Sequence, residues 1–321
     1  MINYSIIIPH YNIPDLLVRC LKSIPVREDV QVIVVDDCSP DYTIYKERYP
    51  ELSRPYVELY QTPKGGSAGR ARNIGLQHAK GRWLIFLDAD DLLAEDACAI
   101  LDSSINCTED ILFYNVKSVM SDDLRQISRR NLYVSYFEQY KNDKDEYLFR
   151  FRFHALWGKI FNKALIDKYK ISFSETKYSN DVYFSIVAGY YARTIKVEER
   201  TLYIVTERQG SLASNQFLRK KPSWEECKIR LTEAIKVRDF VESRGADVFA
   251  IEFNCYFLDI RKYHTLHYLL HMAKLLVTRP SYVLPFYKLD VLFILKHLHL
   301  ITLNKANDIT QRILSTRFDQ H

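Results

Sequence analysis

The sequence predicts an α/β protein with a mostly parallel sheet and flanking helices, followed by a helical C-terminal region. Three observations support this prediction. Short apolar segments alternate with amphipathic segments in the first part of the chain, polar residues follow several of the apolar segments, and helical periodicity dominates from about Trp224 onward. Alternation of this kind is typical of parallel strands joined by crossover helices.

The early elements can be assigned in order from their patterns. The segment VQVIVV is apolar on both faces, which indicates a strand buried on both sides of a sheet. Gly81 ends a helical pattern just before the apolar run WLIFL. The predicted elements are a strand over Tyr4–Ile8, a helix over Leu16–Ile24, strands over Val30–Val35 and Tyr56–Gln61, a helix over about Arg70–Ala79 and a strand over Trp83–Leu87.

Composition bounds the class of protein. The 321 residues are 47% hydrophobic and 26% charged, which is typical of a folded globular protein and excludes disorder or a bundle of membrane spans. The net charge of +5 is uneven, because Arg261 to His321 contains nine Lys or Arg residues against three Asp or Glu residues. The C-terminal segment is therefore the basic part of the chain.

Polar residues follow three of the predicted strands. They are the segments Pro9–Asn12, Asp36-Asp37 and Asp88–Asp91. Parallel strands end at one edge of a sheet, so five carboxylates should gather there, and they need a divalent metal, a basic loop or both. Oxygen ligands suit Mg²⁺ or Mn²⁺ shared with substrate phosphates. The nearby basic residues are Lys64, Arg70 and Arg72.

Four motifs in series carry a family resemblance. They are SIIIPHYN, VVDDCSPD, the glycine-containing stretch Gly66–Gly75 and FLDADD. Each motif alone is weak, but together and in this order they resemble a family 2 glycosyltransferase of the GT-A fold, of the type that makes bacterial surface polysaccharides. One departure is His10, which stands where a valine is more usual.

The resemblance implies a nucleotide-sugar donor and a set of residues that bind it. Tyr11 would lie beside the base, Asp37 would accept a hydrogen bond from it, and Asp88 and Asp90 would hold Mn²⁺ or Mg²⁺ on the diphosphate. The donor-binding residues implied are Pro9, Tyr11, Asn12, Asp37, Arg72, Asp88, Ala89 and Asp90.

A second part of the resemblance concerns the catalytic base. The W-x-K-x-F run that begins at Trp157 and the later Asn180-Asp181 pair are similar to the family's bacterial members. The resemblance implies that Asp181 takes the proton from the acceptor hydroxyl in an inverting transfer, with Trp157 and Asn180 on the acceptor side. Asn180 stands where a glutamate is commoner.

Several of these residues have structural alternatives. Asp181 could cap a helix over Val182–Tyr191, and Asp36 could bond backbone amides at a strand end. Asp91 is interpreted as a helix-cap or solvent-exposed residue beside the metal pair. Trp157 could be a core residue, and Tyr11 could be a loop aromatic packed on the sheet.

The activity predicted is transfer of a sugar from a nucleotide-sugar donor to a glycan or lipid-linked oligosaccharide in surface polysaccharide synthesis. The resemblance alone favours a UDP-sugar as the donor. One alternative is a nucleotidyltransferase, which would carry a glycine-rich phosphate signature after the first strand. Another is a catalytically silent nucleotide-sugar-binding protein. Binding to nucleic acid is not expected, because the chain has no DNA- or RNA-binding module.

The chain is expected to fall into three parts. Residues 1–120 form the nucleotide-sugar-binding half, residues 121–215 the acceptor-side half with the base, and residues 216–321 a basic helical region. Helices are predicted over Glu225–Arg244, Val248–Thr278 and much of Leu284–Leu300. The second of them has a basic face that can lie on an anionic membrane surface, the rivals being a cap on the catalytic domain or an oligomer interface of unknown stoichiometry. The face comprises His264, His267, His271 and Lys274.

Location is predicted from cysteine usage and from the N-terminal segment. The six cysteines are scattered without CxxC pairs, which indicates buried free thiols and a reducing compartment. The N-terminus has no signal-peptide pattern. A cytoplasmic location, peripheral on the inner face of the plasma membrane, is expected.

Overall fold

The computed structural model describes residues 1–40, 45–128, 133–208 and 222–245. The chain divides into two compact units, Met1–Tyr256 and Phe257–His321, and every described residue lies in the first. The helices predicted over Val248–Thr278 and Leu284–Leu300 lie outside the described residues, as does the basic face assigned to a membrane surface. Those predictions, the three-part division of the chain and the cellular location stay predictions.

The first part of the fold alternates strands and helices as predicted. Its elements are β1 (Tyr4–His10), α1 (Pro14–Ser23), β2 (Val30–Asp36), the single-turn α2 (Tyr45–Arg48), β3 (Val57–Gln61), α3 (Ala68–His78) and β4 (Trp83–Phe86). The helix α3 begins two residues before the predicted start, because the Ser67 side chain caps it by accepting hydrogen bonds from the amides of Gly69 and Arg70. The strand β1 runs two residues further than predicted, since it stays paired with β2 through His10.

The second part of the fold completes the sheet and adds its remaining helices. Its elements are β5 (Leu92–Leu93), α4 (Ala97–Ser104), β6 (Ile111–Met120), α5 (Val134–Asp143), β7 (Lys159–Asn162), α6 (Lys163–Lys168), α7 (Val182–Tyr191), β8 (Ile195–Glu207) and α8 (Trp224–Glu242). The helix predicted over Glu225–Arg244 is confirmed by α8. None of the helices in the described ranges has the length and apolar character needed to cross a bilayer.

The described strands form one sheet in the order β3-β2-β1-β4-β7-β6-β8-β5. The four strands of the first part are parallel, whereas β7 lies antiparallel between β4 and β6. An antiparallel neighbour starts where β4 ends. The topology therefore brings the segment that leads into β7 to the same sheet edge as the polar residues that follow β1, β2 and β4.

Strands β1 and β2 are buried on both faces, which explains their continuous apolar runs. On β1, Ile6 and Ile8 pack on one face with residues of α1 and α4, and Ile7 packs on the other with residues of α3, α7 and α8. The core therefore consists of two apolar layers with the sheet between them. None of the five described cysteines forms a disulfide. Cys20 and Cys227 are buried as expected, Cys38 and Cys107 are only half-buried, and Cys98 is exposed, so the expectation that every thiol is buried is wrong for the last three.

The helix α8 holds the segment that leads into α7. Glu233 is buried on α8 and accepts a hydrogen bond from the Ser174 hydroxyl, while Lys236 donates to the same hydroxyl oxygen at 2.8 Å. The Ser174 amide in turn donates to the carbonyl oxygen of Asn180 at 3.3 Å. One turn of α8 thus supports the backbone beside the predicted base.

The start of α3 lies directly against this same segment at Gly69. A Cβ atom at this position would clash with the carbonyl oxygen of Ser174 and would lie 3.1 Å from the Cβ atom of Asn180. We expect Gly69→Ala to separate the two segments and to lower the free energy of unfolding by about 1–3 kcal/mol, as overpacking does elsewhere. Urea unfolding measures this change.

The matched control for Gly69→Ala is Gln77→Ala, which places alanine at an exposed position of the same helix. We expect the free energy of unfolding of this variant to lie within about 0.5 kcal/mol of the wild-type value. Equal stability of both variants would contradict the close approach of α3 to Ser174.

Candidate active site

The candidate site lies at the sheet edge where β1, β2 and β4 end. Tyr11 follows β1 and is 58% exposed, so its ring is not packed on the sheet as the structural alternative required. Asn12 has a left-handed backbone (φ 51°), and its amide donates to the Ser39 hydroxyl at 2.8 Å. Pro9, by contrast, is buried inside β1, where it pairs with Val35.

The two aspartates at the end of β2, Asp36 and Asp37, both serve the local backbone in this structure. Asp36 is buried and accepts hydrogen bonds from His10 and Ser39, which is the structural role weighed for it above. Asp37 accepts from the Thr62 hydroxyl at 2.9 Å and from two amides of the glycine-containing loop at 2.8 Å each; the amides belong to Gly66 and Ser67. Contact between Asp37 and a donor base stays a prediction.

Asp88 is the partly open carboxylate after β4, with its side chain 33% exposed. Its Oδ1 accepts from Arg72 at 2.6 Å, and the Trp157 indole N–H points at Oδ2 from 3.4 Å. Trp157 packs against core residues but also contacts this carboxylate, so it belongs to the wall of the site as well as to the core.

Arg72 joins the two halves of the site. Its guanidinium donates to Asp88 at 2.6 Å and to the Asn180 side-chain oxygen at 2.7 Å, and it lies 5.5 Å from the centre of the Phe173 ring. The side chain is almost fully buried, and its Nε has no hydrogen-bond partner among the described residues. The predicted donor and acceptor sides therefore meet at one buried arginine.

The other two acidic residues of the DADD segment differ in surroundings. Asp90 is 23% exposed and accepts from Arg208 at 3.0 Å. Asp91 is buried and accepts from the Tyr203 hydroxyl at 2.9 Å and from the Thr206 amide at 2.7 Å. Burial, followed by the charges of Asp90 and Asp88, raises the pKa of Asp91 well above its usual value. Asp91 is thus neither a cap nor a solvent residue, because β8 covers it.

Ala89 lies between the two predicted metal ligands and is buried. Its side chain packs in the apolar layer that contains α1 and α4. Any contact of Ala89 with a donor would therefore involve its backbone rather than its methyl group, and such a contact stays a prediction.

Asp181 immediately precedes α7, at the position of a helix cap. Its side chain makes no capping hydrogen bond, so the structural alternative of an N-cap is not realised. Burial raises the pKa of this carboxyl, the Arg72 charge opposes the rise, Asp88 adds to it and Lys159 offsets it. A carboxylate with a raised pKa beside a cation is suited to accept a proton near neutral pH.

Lys159 is a charged residue of the site that the sequence interpretation passed over. It is 2% exposed, donates to the carbonyl oxygen of Phe153, and lies 5.3 and 4.7 Å from the ring centres of Phe113 and Phe153. Burial lowers the pKa of Lys159 to about 7, although the charge of Asp181 opposes this. The available signal was a lysine inside the otherwise apolar run of the W-x-K-x-F motif.

The lowered pKa of Lys159 predicts a pH-dependent stability. The native protein loses this proton near pH 7, whereas an unfolded chain keeps it up to about pH 10.5, so unfolding takes up a proton between these values. The free energy of unfolding should therefore rise with pH across this window. We expect Lys159→Met to be more stable than the wild type at pH 7 and to lose that advantage as the pH rises.

Urea unfolding of the wild type and Lys159→Met, at several pH values between about 6 and 10, measures this difference directly. Lys168→Met serves as the control, since Lys168 is an exposed lysine on α6. A stability difference between the wild type and Lys159→Met that does not change with pH would contradict a buried, titrating lysine.

The carboxylate oxygens of Asp88 and Asp90 are suitable ligands for a divalent cation shared with a diphosphate. Both residues offer partly exposed carboxylate oxygens, the ligand type that Mg²⁺ and Mn²⁺ prefer, and neither cation needs more than one or two carboxylates when phosphates complete its shell. No group of three or more acidic, histidine or cysteine ligands occurs in the described part of the chain. A protein-only metal cage is thus not found among those residues.

Comparison with known proteins identifies the family. The family model described as Glycosyl transferase family 2 matches residues 5–166, just over half of the 321 residues. The chain belongs to this family. The family resemblance drawn from the four motifs is confirmed, and the matched range contains every donor-side residue predicted above.

Two curated relatives of this family 2 member are named as poly(ribitol-phosphate) glycosyltransferases. The chain is 27% identical over 269 residues to a poly(ribitol-phosphate) beta-glucosyltransferase of Bacillus spizizenii, which covers 79% of this chain and 40% of the relative. It is 26% identical over 268 residues to the poly(ribitol-phosphate) beta-N-acetylglucosaminyltransferase TarS of Staphylococcus aureus, covering 80% of this chain and 44% of TarS. The chain thus spans less than half the length of these two relatives.

Solved structures support the GT-A fold of this family 2 member. The crystal structure of S. aureus TarS 1–349 in complex with UDP-GlcNAc superimposes with a TM-score of 0.59 at 21% identity, covering 87% of this chain and 76% of TarS 1–349. The complex of the same fragment with UDP gives a TM-score of 0.52. The predicted fold class is therefore confirmed.

Proposed function

We propose that the protein is an inverting glycosyltransferase that moves a sugar from a UDP-sugar to a glycan or lipid-linked glycan of a bacterial surface polymer. Family membership establishes the enzyme class. The choice of UDP draws support from the fold shared with TarS, whose crystal structures contain UDP-GlcNAc and UDP. The choice of a surface polymer draws support from relatives named for poly(ribitol-phosphate).

The observation that carries the proposal is the bridge made by Arg72. Asp88 is the proposed contact with the donor diphosphate, and Asn180 precedes the proposed base in sequence; Arg72 bonds to both side chains. A sugar carried on the diphosphate would therefore lie in the same small site as the Asp181 carboxylate. This is the arrangement that direct displacement at an anomeric carbon requires.

The proposed reaction is a single displacement. The acceptor hydroxyl oxygen forms a bond to the anomeric carbon while its proton passes to the Asp181 carboxylate. The bond between the anomeric carbon and the diphosphate oxygen breaks, and its electron pair leaves with UDP. Because attack and departure occur on opposite faces, the anomeric configuration inverts. Arg72 balances the negative charges of Asp88 and Asp181 during substrate binding.

A divalent cation is part of this proposal. Asp88 and Asp90 would hold Mn²⁺ or Mg²⁺, which when bound supplies positive charge to the leaving diphosphate. Arg208 directly follows β8 and donates a hydrogen bond to Asp90, so this arginine would be a second source of positive charge beside the donor.

Nucleotide release from UDP-, GDP-, CMP- and dTDP-sugars tests the donor proposal, with Mn²⁺ and with EDTA, because slow donor hydrolysis needs no acceptor. We expect release of UDP only, and less of it with EDTA. Calorimetric binding of UDP should follow the same metal dependence. Release from a different nucleotide would overturn the choice of donor. Binding of UDP without any transfer to purified surface glycans would favour the silent nucleotide-sugar-binding alternative.

A further inference from the structure

A buried histidine lies directly beneath the proposed nucleotide loop. His10 is the last residue of β1 and pairs in register with Asp36, the last residue of β2. Both side chains are buried, and the His10 Nδ1 lies 2.8 Å from Asp36 Oδ1. The His10 Nε2 lies 3.1 Å from the amide nitrogen of Ile13. An amide can only donate, so Nε2 is the acceptor and the proton is on Nδ1, where it is donated to Asp36.

Asp36 supports the same loop by a second route. Its Oδ1 accepts from the Ser39 hydroxyl at 2.6 Å, and its Oδ2 accepts from the Ser39 amide at 2.7 Å. The Ser39 hydroxyl oxygen in turn accepts from the Asn12 amide at 2.8 Å. Burial opposes ionisation of Asp36, but the bonds from His10 and Ser39 hold its pKa below the usual value. Through His10 and Ser39, the buried Asp36 carboxylate thus holds the backbone amides of Asn12 and Ile13, which are consecutive in the loop.

The conformation that these bonds hold is not one that the loop would favour alone. Asn12 has φ 51°, in the left-handed region, which asparagine enters more readily than other non-glycine residues but still at a cost in energy that its surroundings must offset. Tyr11 immediately precedes it and extends its ring toward solvent. The direction of this ring therefore depends on how firmly the amides of Asn12 and Ile13 are held.

We propose that His10 is a positioning residue for nucleotide binding: its imidazole links Asp36 to the Ile13 amide and so holds Tyr11 and Asn12 in the geometry that receives the donor nucleoside. This inference rests on the proposed function. A valine at position 10, which the family resemblance implies is more usual, could make neither bond. The histidine is thus a feature by which this chain secures its loop differently.

Two variants separate the two nitrogens of the ring. In His10→Asn the short carboxamide can replace Nδ1 and reach Asp36, but it leaves the Ile13 amide without its acceptor. In His10→Gln the longer carboxamide can place its oxygen near the position of Nε2 and accept from Ile13. Loss of one buried hydrogen bond shifts the equilibrium between the held loop and its other conformations by about 10-fold, and UDP affinity falls with the fraction of protein in the held conformation. We expect UDP to bind about 10-fold more weakly to His10→Asn and within about three-fold of the wild type to His10→Gln.

Inhibition by inorganic pyrophosphate, measured beside UDP, distinguishes loop positioning from general damage. Pyrophosphate lacks the nucleoside, so its inhibition constant should not change in either variant, and kcat at saturating donor should also be retained. Ser39→Ala, which removes the acceptor of the Asn12 amide, should also weaken UDP binding and leave pyrophosphate inhibition unchanged. This variant provides the test if His10→Asn fails to fold.

The results that would overturn the proposal are distinct. Wild-type affinity for UDP in His10→Asn, equal weakening in both His10 variants, or a parallel loss of pyrophosphate inhibition would each exclude positioning through Nε2. A wild-type protein that binds no UDP would overturn the proposed donor, and the His10 inference would fall with it. The ¹⁵N shifts of the ring, assigned by difference against His10→Gln, should show a neutral imidazole protonated at Nδ1.

Discussion

Asp181→Asn should abolish sugar transfer while leaving donor binding almost unchanged. Asparagine has the same shape but cannot accept the proton of the acceptor hydroxyl, and loss of a general base lowers kcat by about 10²- to 10⁴-fold. The fold should be retained, because the Asp181 side chain makes no capping bond and asparagine is favourable at a helix N-cap. Transfer rates at saturating donor and calorimetric binding of UDP measure the two effects separately.

The pH dependence of transfer provides a second reading of Asp181. Burial raises the pKa of this carboxyl, so the proportion of the ionised base should fall as the pH drops through a higher value than an ordinary aspartate would show. Activity should therefore be lost on the acid side at that raised pKa. The residual activity of Asp181→Asn should not show this acid limb.

Asp96→Asn is the matched control for Asp181→Asn. Asp96 precedes α4 as Asp181 precedes α7, its side chain also makes no capping bond, and it is exposed. We expect wild-type transfer and donor binding from this variant. If Asp181→Asn lost UDP binding as severely as transfer, Asp181 would be a donor-binding residue and not the base.

Arg72→Lys should cause the second large loss. The planar guanidinium bonds to Asp88 and Asn180 together, whereas a lysine ammonium is a compact point charge and cannot replace a rigid two-pronged contact. Misplacement of reacting groups by about 1 Å can reduce rates by about 100-fold. We expect kcat/KM to fall by about 10²-fold or more and UDP affinity to fall with it, since Asp88 loses its fixed orientation.

Arg70→Lys is the control for Arg72→Lys on the same helix. Arg70 also reaches the segment before α7, through an ion pair with Glu175 at 2.8 Å, but Glu175 is half exposed. Surface ion pairs of this kind contribute about 0–1 kcal/mol, so transfer should change little. Equal losses in the two variants would mean that the contact between α3 and the 173–181 segment matters only for folding.

The first half of the fold could be predicted because its signals are local. Strands such as β2 are apolar on both faces, and the residues that follow them are polar, so each strand and its end can be identified within a short window. The order in which the later strands join the sheet could not be predicted in this way. The position of β7 between β4 and β6 depends on pairing with strands distant in sequence, and a four-residue strand has little periodicity of its own.

Motif residues were easier to name than their roles. Asp36 and Asp37 stand in one motif, yet Asp36 supports the β1 loop and Asp37 supports the glycine-containing loop. Asp91 is predicted to be a helix-cap or solvent-exposed residue, but it is buried, because β8 supplies a hydroxyl and an amide to its carboxylate. Hydrogen-bond partners of this kind come from distant segments and leave no pattern near the residue itself.

The sequence alone determined the α/β class and the family, because strand patterns and motifs are local. It also determined which residues come to one sheet edge, because the carboxyl ends of parallel strands lie together. Only the tertiary structure decided how those residues are joined. Arg72 bonds across the site, Lys159 is buried near Asp181, and His10 secures the Tyr11 loop because strands far apart in the chain lie side by side. Burial and orientation depend on every neighbour in space, and sequence position records only the neighbours along the chain.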